Sequence, residues 1–137
     1  MREDEDNWRS AKAPGLSDIE ALAWEAFAEM PQQFRDLCGD VVILVDEVAD
    51  AETLASVGLD NDLELTGLFT GIGRPFQHES GLPRLPNTVH LYRLPILMEW
   101  AETDVTLGEL VAHVLVHEIA HHFGFTDDGI HAVEESD

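Results

Sequence analysis

The sequence predicts an α+β fold, a small twisted sheet with one long buried helix packed against a face of it. Three observations lead there. Val41-Val42-Ile43-Leu44-Val45 is an unbroken apolar run of strand length. Thr88-Val89-His90-Leu91-Tyr92-Arg93 alternates with the period of a half-buried strand. From Leu107 onward, Leu110, Val111, Val114, Leu115, Val116 and Ile119 make a helical apolar pattern with no proline to interrupt it. A chain of 137 residues is of single-domain size.

The elements follow in order. Residues 1–15 are polar and acidic and close on Pro14-Gly15, which predicts a disordered arm and leaves 16–137 as the folded domain. Ser17-Asp18-Ile19-Glu20 reads as a capping box opening an amphipathic helix, with Ile19, Leu22, Ala23, Ala26, Phe27 and Met30 on one face. Pro31 kinks this helix or starts a new turn that runs through Leu37 and closes at Gly39. Cys38, the one cysteine, is expected to be a buried structural thiol; alone, it forms no intrachain disulfide, which favours a reducing compartment.

The run 41–45 is expected as a central strand covered on both faces. Asp50 to Val57 reads as a short helix ending at Gly58, and Leu65 to Thr70 as a second strand. Gly71-Ile72-Gly73-Arg74-Pro75 is a turn, and residues 73–88 are loop-rich. Pro86 and Pro95 flank the strand at 88–93, which predicts an edge strand with Val89 and Leu91 inward. Pro95 can start a helix through Trp100. Thr106 and Glu109 then form a second capping box at the head of the long helix.

That helix ends in His117-Glu118-Ile119-Ala120-His121-His122-Phe123-Gly124-Phe125-Thr126-Asp127, the pattern H-E-x-x-H-x-x-G-x-x-D. Helical residues four apart differ by about 40° in direction and about 6 Å in height, so His117 and His121 can reach one ion. Glu118 is rotated about 100° from His117, which puts its carboxylate beside such an ion rather than on it. The extended pattern arises by chance in roughly one chain in a thousand of this composition. A plain buried helix with hydrogen-bonded histidines is therefore the weaker reading.

Gly124 suits the left-handed position just past a helix that ends at Phe123. The chain would then turn back and bring Asp127 to the ion as third ligand, with Asp128, His131 and Glu134 as competitors for that place; Asp127 or Asp128 could instead cap a short C-terminal helix. Two histidines, a carboxylate and a water fit a four-coordinate catalytic zinc, one ion per chain. Zinc lowers the pKa of such a water to near ~7 and polarises a carbonyl, with Glu118 as the proton carrier. On the strand at 88–93, His90, Tyr92 and Arg93 are candidates for oxyanion stabilisation, Tyr92 first among them. The same strand is a candidate for holding an extended substrate by strand addition. His113, one turn before His117, could line the cleft, while His122 is expected to pack or cap the helix end.

Seven basic residues stand against 28 acidic ones, for a net charge of −21. This argues against nucleic acid and anionic membrane as partners. Met1 to Gly15 does not read as a signal peptide and no run nears ~18 apolar residues, so a cytoplasmic location is expected.

These residues resemble the zincin-like metallopeptidases, above all a small bacterial family of minimal, single-domain zinc peptidases. The resemblance rests on Thr106-Leu107-Gly108, on the segment from Val114 to Gly124, and on Asp127-Asp128, with Arg93 to Leu97 and the strand from Val41 as upstream counterparts. It covers roughly residues 17–135. It implies His117, His121 and Asp127 as zinc ligands and Glu118 as general base. Against the larger metzincin pattern, position 127 is Asp rather than His, none of the ten residues given after it is methionine, and a C-terminal subdomain is not expected.

The expected function is zinc-dependent hydrolysis of peptide bonds, in peptides or flexible protein segments that reach a shallow groove. Two alternatives stand beside it. One is a metal- or peptide-binding module with little turnover, for which an acid at position 118 has no use. The other is zinc-dependent hydrolysis of a different bond; small RNA-maturation nucleases share the His-x-x-x-His spacing, but Glu118 and the net charge speak against them.

Overall fold

The computed structural model describes residues 8–71 and 87–124. Its elements are α1 (Leu16–Glu29), α2 (Gln32–Cys38), β1 (Val41–Asp46), α3 (Ala51–Ser56), β2 (Gly67–Thr70), β3 (Asn87–Tyr92), α4 (Arg93–Glu102) and α5 (Leu107–His122). Among the described residues the strands form one three-stranded sheet in the order β1-β3-β2. β1 runs parallel to β3, with Ile43 opposite Val89 and Asp46 opposite Tyr92. β2 runs antiparallel to β3, with Gly67 opposite Leu91 and Phe69 opposite Val89. The architecture is α+β, as the sequence predicts.

Side chains alternate across a strand, so the sheet has two distinct faces. Ile43, Phe69, Val89 and Leu91 point into one core with Ile19, Ala23, Val111, Val114, Leu115 and Ile119. α1 packs against both α5 and β1, and α5 lies against β2 and β3. All of this helical cover is on one side. Among the described residues, the other face receives only the small cluster of Tyr92 with Ala49 and Leu54, flanked by Leu59 and Leu65.

Three expectations are corrected. β1 is an edge strand rather than a central one, and Val42 and Leu44 are 37% and 47% exposed because no helix among the described residues covers that part of the face. β3, expected at the edge, is central and hydrogen-bonded on both sides. Pro95 does not interrupt its ladder, since it lies beyond the strand in the first turn of α4, where a missing N–H leaves no helical bond unmade. α1 begins at Leu16 rather than after Ser17, because the Asp18 carboxylate accepts the Gly15 N–H at 2.7 Å and moves the cap back two residues.

Other elements follow the sequence closely. Gly39 ends α2 at φ 62°, a conformation in which glycine carries no side-chain penalty. Cys38 is fully buried, and burial pushes its thiol up to about 11. The Cys38 carbonyl accepts a 2.6 Å hydrogen bond from the Asn87 amide side chain, which joins the end of α2 to the start of β3. Residues 1–7 of the expected arm lie outside the described residues. Trp8 to Ser10 are helical, and the Pro14 carbonyl accepts a 2.6 Å bond from the Arg93 side chain. Among the described residues, no helix is long and apolar enough to cross a membrane.

Candidate metal centre on helix α5

α5 is held from both ends and along its length. At its start the Thr106 hydroxyl oxygen accepts the Glu109 N–H at 3.1 Å, and the hydroxyl donates to the Glu109 carboxylate at 2.9 Å. One residue thus supplies an acceptor to the helix and a donor to its first-turn acid. Leu110, Val111, Val114, Leu115, Val116, Ile119 and Ala120 are buried against α1 and the sheet. The expected apolar helix is borne out. At its far end the Gly124 N–H reaches the His121 carbonyl at 3.0 Å, and Gly124 takes φ 83°. This is the left-handed turn that the glycine predicts.

Three histidines line up along α5 at four-residue spacing. The ring centroids of His113 and His117 are 5.3 Å apart, and those of His117 and His121 are 4.3 Å apart. The spacing places three imidazoles on adjacent turns of one stripe. His117 is half-buried and its Nδ1 atom is fully enclosed, whereas His113 and His121 are exposed. His122, on a neighbouring face, stacks on Phe69 of β2 with centroids 4.1 Å apart, and Phe123 meets the Phe69 ring edge-on at 5.8 Å. Burial lowers the His122 imidazole below its ordinary pKa, which fits its expected packing role.

Glu118 sits where α5 meets the sheet. Burial pushes its carboxyl above the usual glutamate range, partly offset by the nearby His121. Its neighbour is Gly67 on β2. A Cβ at that position would lie 2.8 Å from Val114 Cγ1, 3.2 Å from the His90 carbonyl oxygen and 3.3 Å from Glu118 Cγ. Only a residue without a side chain lets β2 come this close to the helix. β2 therefore fixes the environment of the acid as well as the end of the helix.

Placement of the remaining expected residues is uneven. The structure brings His113, His117, Glu118 and His121 together on α5. Asp127, Asp128, His131 and Glu134 lie outside the described residues. Among the described residues, no three potential ligands converge. His90 and Tyr92 alternate with the core-facing Val89 and Leu91, so they point to the sheet face away from α5. There His90 Nε2 pairs with the Thr70 hydroxyl at 3.1 Å.

Sequence reasoning does not single out Gly67 and Phe69. A usable signal is present all the same, since a glycine within an apolar strand marks a close approach of backbone to something else.

The donors available suit a borderline cation. Two imidazoles on successive turns are nitrogen donors of the kind zinc accepts, and the half-buried Glu118 carboxyl stands beside them. A family model for zincin-like metallopeptidases matches residues 38–136, a span that holds the whole sheet, α4 and all of α5. No curated protein matches the chain.

Proposed function

The chain belongs to the zincin-like metallopeptidase family, and we propose that it hydrolyses peptide bonds with one zinc ion held by His117, His121 and Asp127. Zinc at such a site supplies Lewis acidity to a carbonyl and brings the pKa of a water to near ~7. Everything else is the work of the chain. Glu118 takes the proton of the attacking water and delivers it to the leaving nitrogen. The observation that carries the reading is the position of this acid. It stands one residue after His117 and three before His121, half-buried against Gly67, with its proton affinity raised by burial. A raised proton affinity is the direction a general base requires.

The peptide would lie along β2. β3 is central and has no free edge, so the strand-addition role expected for it passes to its neighbour. β2 is the edge strand packed on α5, and its residues Gly67 and Phe69 touch the helix at Glu118 and His122. Backbone pairing along that edge gives affinity with little demand on side-chain identity, which suits flexible protein segments as substrates. Asp127 is taken as third ligand on its spacing in the H-E-x-x-H-x-x-G-x-x-D pattern, and the turn at Gly124, which redirects the chain at the end of the helix, supports that reading.

Elemental analysis tests the metal assignment. Wild-type protein should carry one zinc per chain, and His117→Ala should lose it. Full zinc content in His117→Ala would refute the site, and a zinc-bound structure with Asp128 or His131 in the sphere would refute Asp127.

A further inference from the structure

The sheet face turned away from α5 carries a second site. A cavity of about 470 Å³ opens at the C-terminal ends of the parallel strands β1 and β3, lined by Asp46, Glu47, Asp50, Thr53, His90 and Tyr92. We propose that this cavity binds an organic cation with several N–H donors: a primary ammonium or a guanidinium, as on a polyamine or at the end of a lysine or arginine side chain.

Charge is the first argument. Three carboxylates line the cavity, and two of them have one oxygen already engaged. Glu47 Oε1 accepts from Arg93 at 2.9 Å, and Asp50 Oδ1 accepts the Thr53 N–H at 2.7 Å as the cap of α3. Among the described residues, Asp46 makes no ion pair or hydrogen bond through its carboxylate. His90 adds no opposing charge at neutral pH, since burial lowers its imidazole below the ordinary value against the weaker pull of Asp46.

The second argument is Tyr92. It is 4% exposed, packed with Ala49 and Leu54, yet it lines the cavity. Among the described residues its hydroxyl has no hydrogen-bond partner. The ring is buried while the hydroxyl opens onto the cavity, where it can pair with whatever fills it. Burial, then Asp46 and Asp50, hold the phenol above its usual pKa, so it faces the cavity as a neutral O–H. A neutral hydroxyl oxygen beside carboxylates is an acceptor set for N–H donors.

Geometry decides between an organic cation and a metal ion. A hard cation needs its oxygen ligands gathered at one point. Among the described residues no three His, Cys, Asp or Glu side chains gather in that way. Here the carboxylates are spread round a space of small-molecule size. A cation with donors pointing several ways suits that spread.

Tyr92 is the sole tyrosine, so its ring resonances report on the site alone. The full chain would be titrated at constant ionic strength with butylammonium, with butylguanidinium, and with an acetylated, amidated Gly-Lys-Gly peptide. A saturable shift of the Tyr92 signals is expected with the small cations. Asp46→Asn should weaken binding about tenfold, the loss expected for a hydrogen bond to a charged group, and Tyr92→Phe, followed by calorimetry, should weaken it in the same direction. Peptide binding as tight as butylammonium identifies polypeptide side chains as the source; binding of the small cations alone identifies free amines. Asp46 is exposed, so its variant carries the test even where Tyr92→Phe fails to fold. Equal shifts with sodium, tighter saturation by calcium or magnesium, or unchanged affinity in Asp46→Asn would overturn the proposal. His117→Ala should leave the titration unaltered, which keeps this site separable from the zinc reading.

Discussion

On β1 the side chains of Val41, Ile43 and Val45 join the core, while Val42 and Leu44, one residue along, are left partly open to solvent. The same division runs through β3, where Val89 and Leu91 join the core with α1 and α5, while His90 and Tyr92 face the other way and Tyr92 meets only Leu54 of the short helix α3 and its neighbours. All of these positions belong to paired strands with ordinary backbone hydrogen bonding. What differs is the cover: α1 and α5 lie on one face alone. The covered face carries the stability of the fold and positions the imidazole stripe. The open face, relieved of core packing, can hold carboxylates and a cavity without disturbing the hydrophobic interior.

Substitutions on the two faces are the most forceful way to break this contrast. Leu115 is fully buried on α5, and Leu115→Ala should cost about 2–5 kcal/mol in urea unfolding. Leu44→Ala should cost under about 1 kcal/mol, as exposed positions do. Equal losses would mean that something covers the open face too.

A pair of glycines sharpens the comparison within the covered side. Gly67→Ala drives a methyl group against Val114, Glu118 and backbone, and should destabilise by about 1–3 kcal/mol. It should also impair peptide cleavage while zinc is retained, since the displaced side chain is the proposed base. At Gly108, in the first turn of α5, an added methyl group would meet only Leu22, at 3.8 Å. Gly108→Ala should therefore stabilise by up to about 1 kcal/mol through helix propensity. Thermal unfolding of the two variants reads both signs at once.

An effect confined to alkaline pH is expected at Cys38, where the buried thiol is raised from 9.0 to about 11. A group whose folded pKa is raised gives stability that is intact below its unfolded pKa and lost as pH rises through the folded one. The contribution of Cys38 should thus be full below pH 9.0 and fade towards about 11. Cys38→Ala should flatten that part of the stability–pH curve; an unchanged slope would show the thiol is not shielded as described.

Local signals are the legible ones in this sequence. The Thr106–Glu109 cap, the apolar face of α5, the glycine turn at 124 and the H-E-x-x-H spacing are all written within a few residues of one another. Pairing of strands is not written that way. β2 lies beyond β3 from β1, so the sheet order depends on contacts between residues far apart in sequence. The prolines around β3 point to an edge because their distance from the ladder cannot be seen in the sequence. The alternation at 88–93 does carry a usable message: once Val89 and Leu91 face the core helix, His90 and Tyr92 must face away from it. Gly67 escapes notice because its meaning depends on Glu118, far downstream in the chain.

The proposed hydrolysis depends most directly on Glu118, and one comparison tests it: wild type against Glu118→Gln, each assayed on a peptide library with zinc content measured on the same samples. The prediction is one zinc per chain in both, with cleavage falling by at least about a hundredfold in the variant, the range for loss of general acid–base catalysis. Undiminished cleavage by a zinc-loaded Glu118→Gln would contradict it.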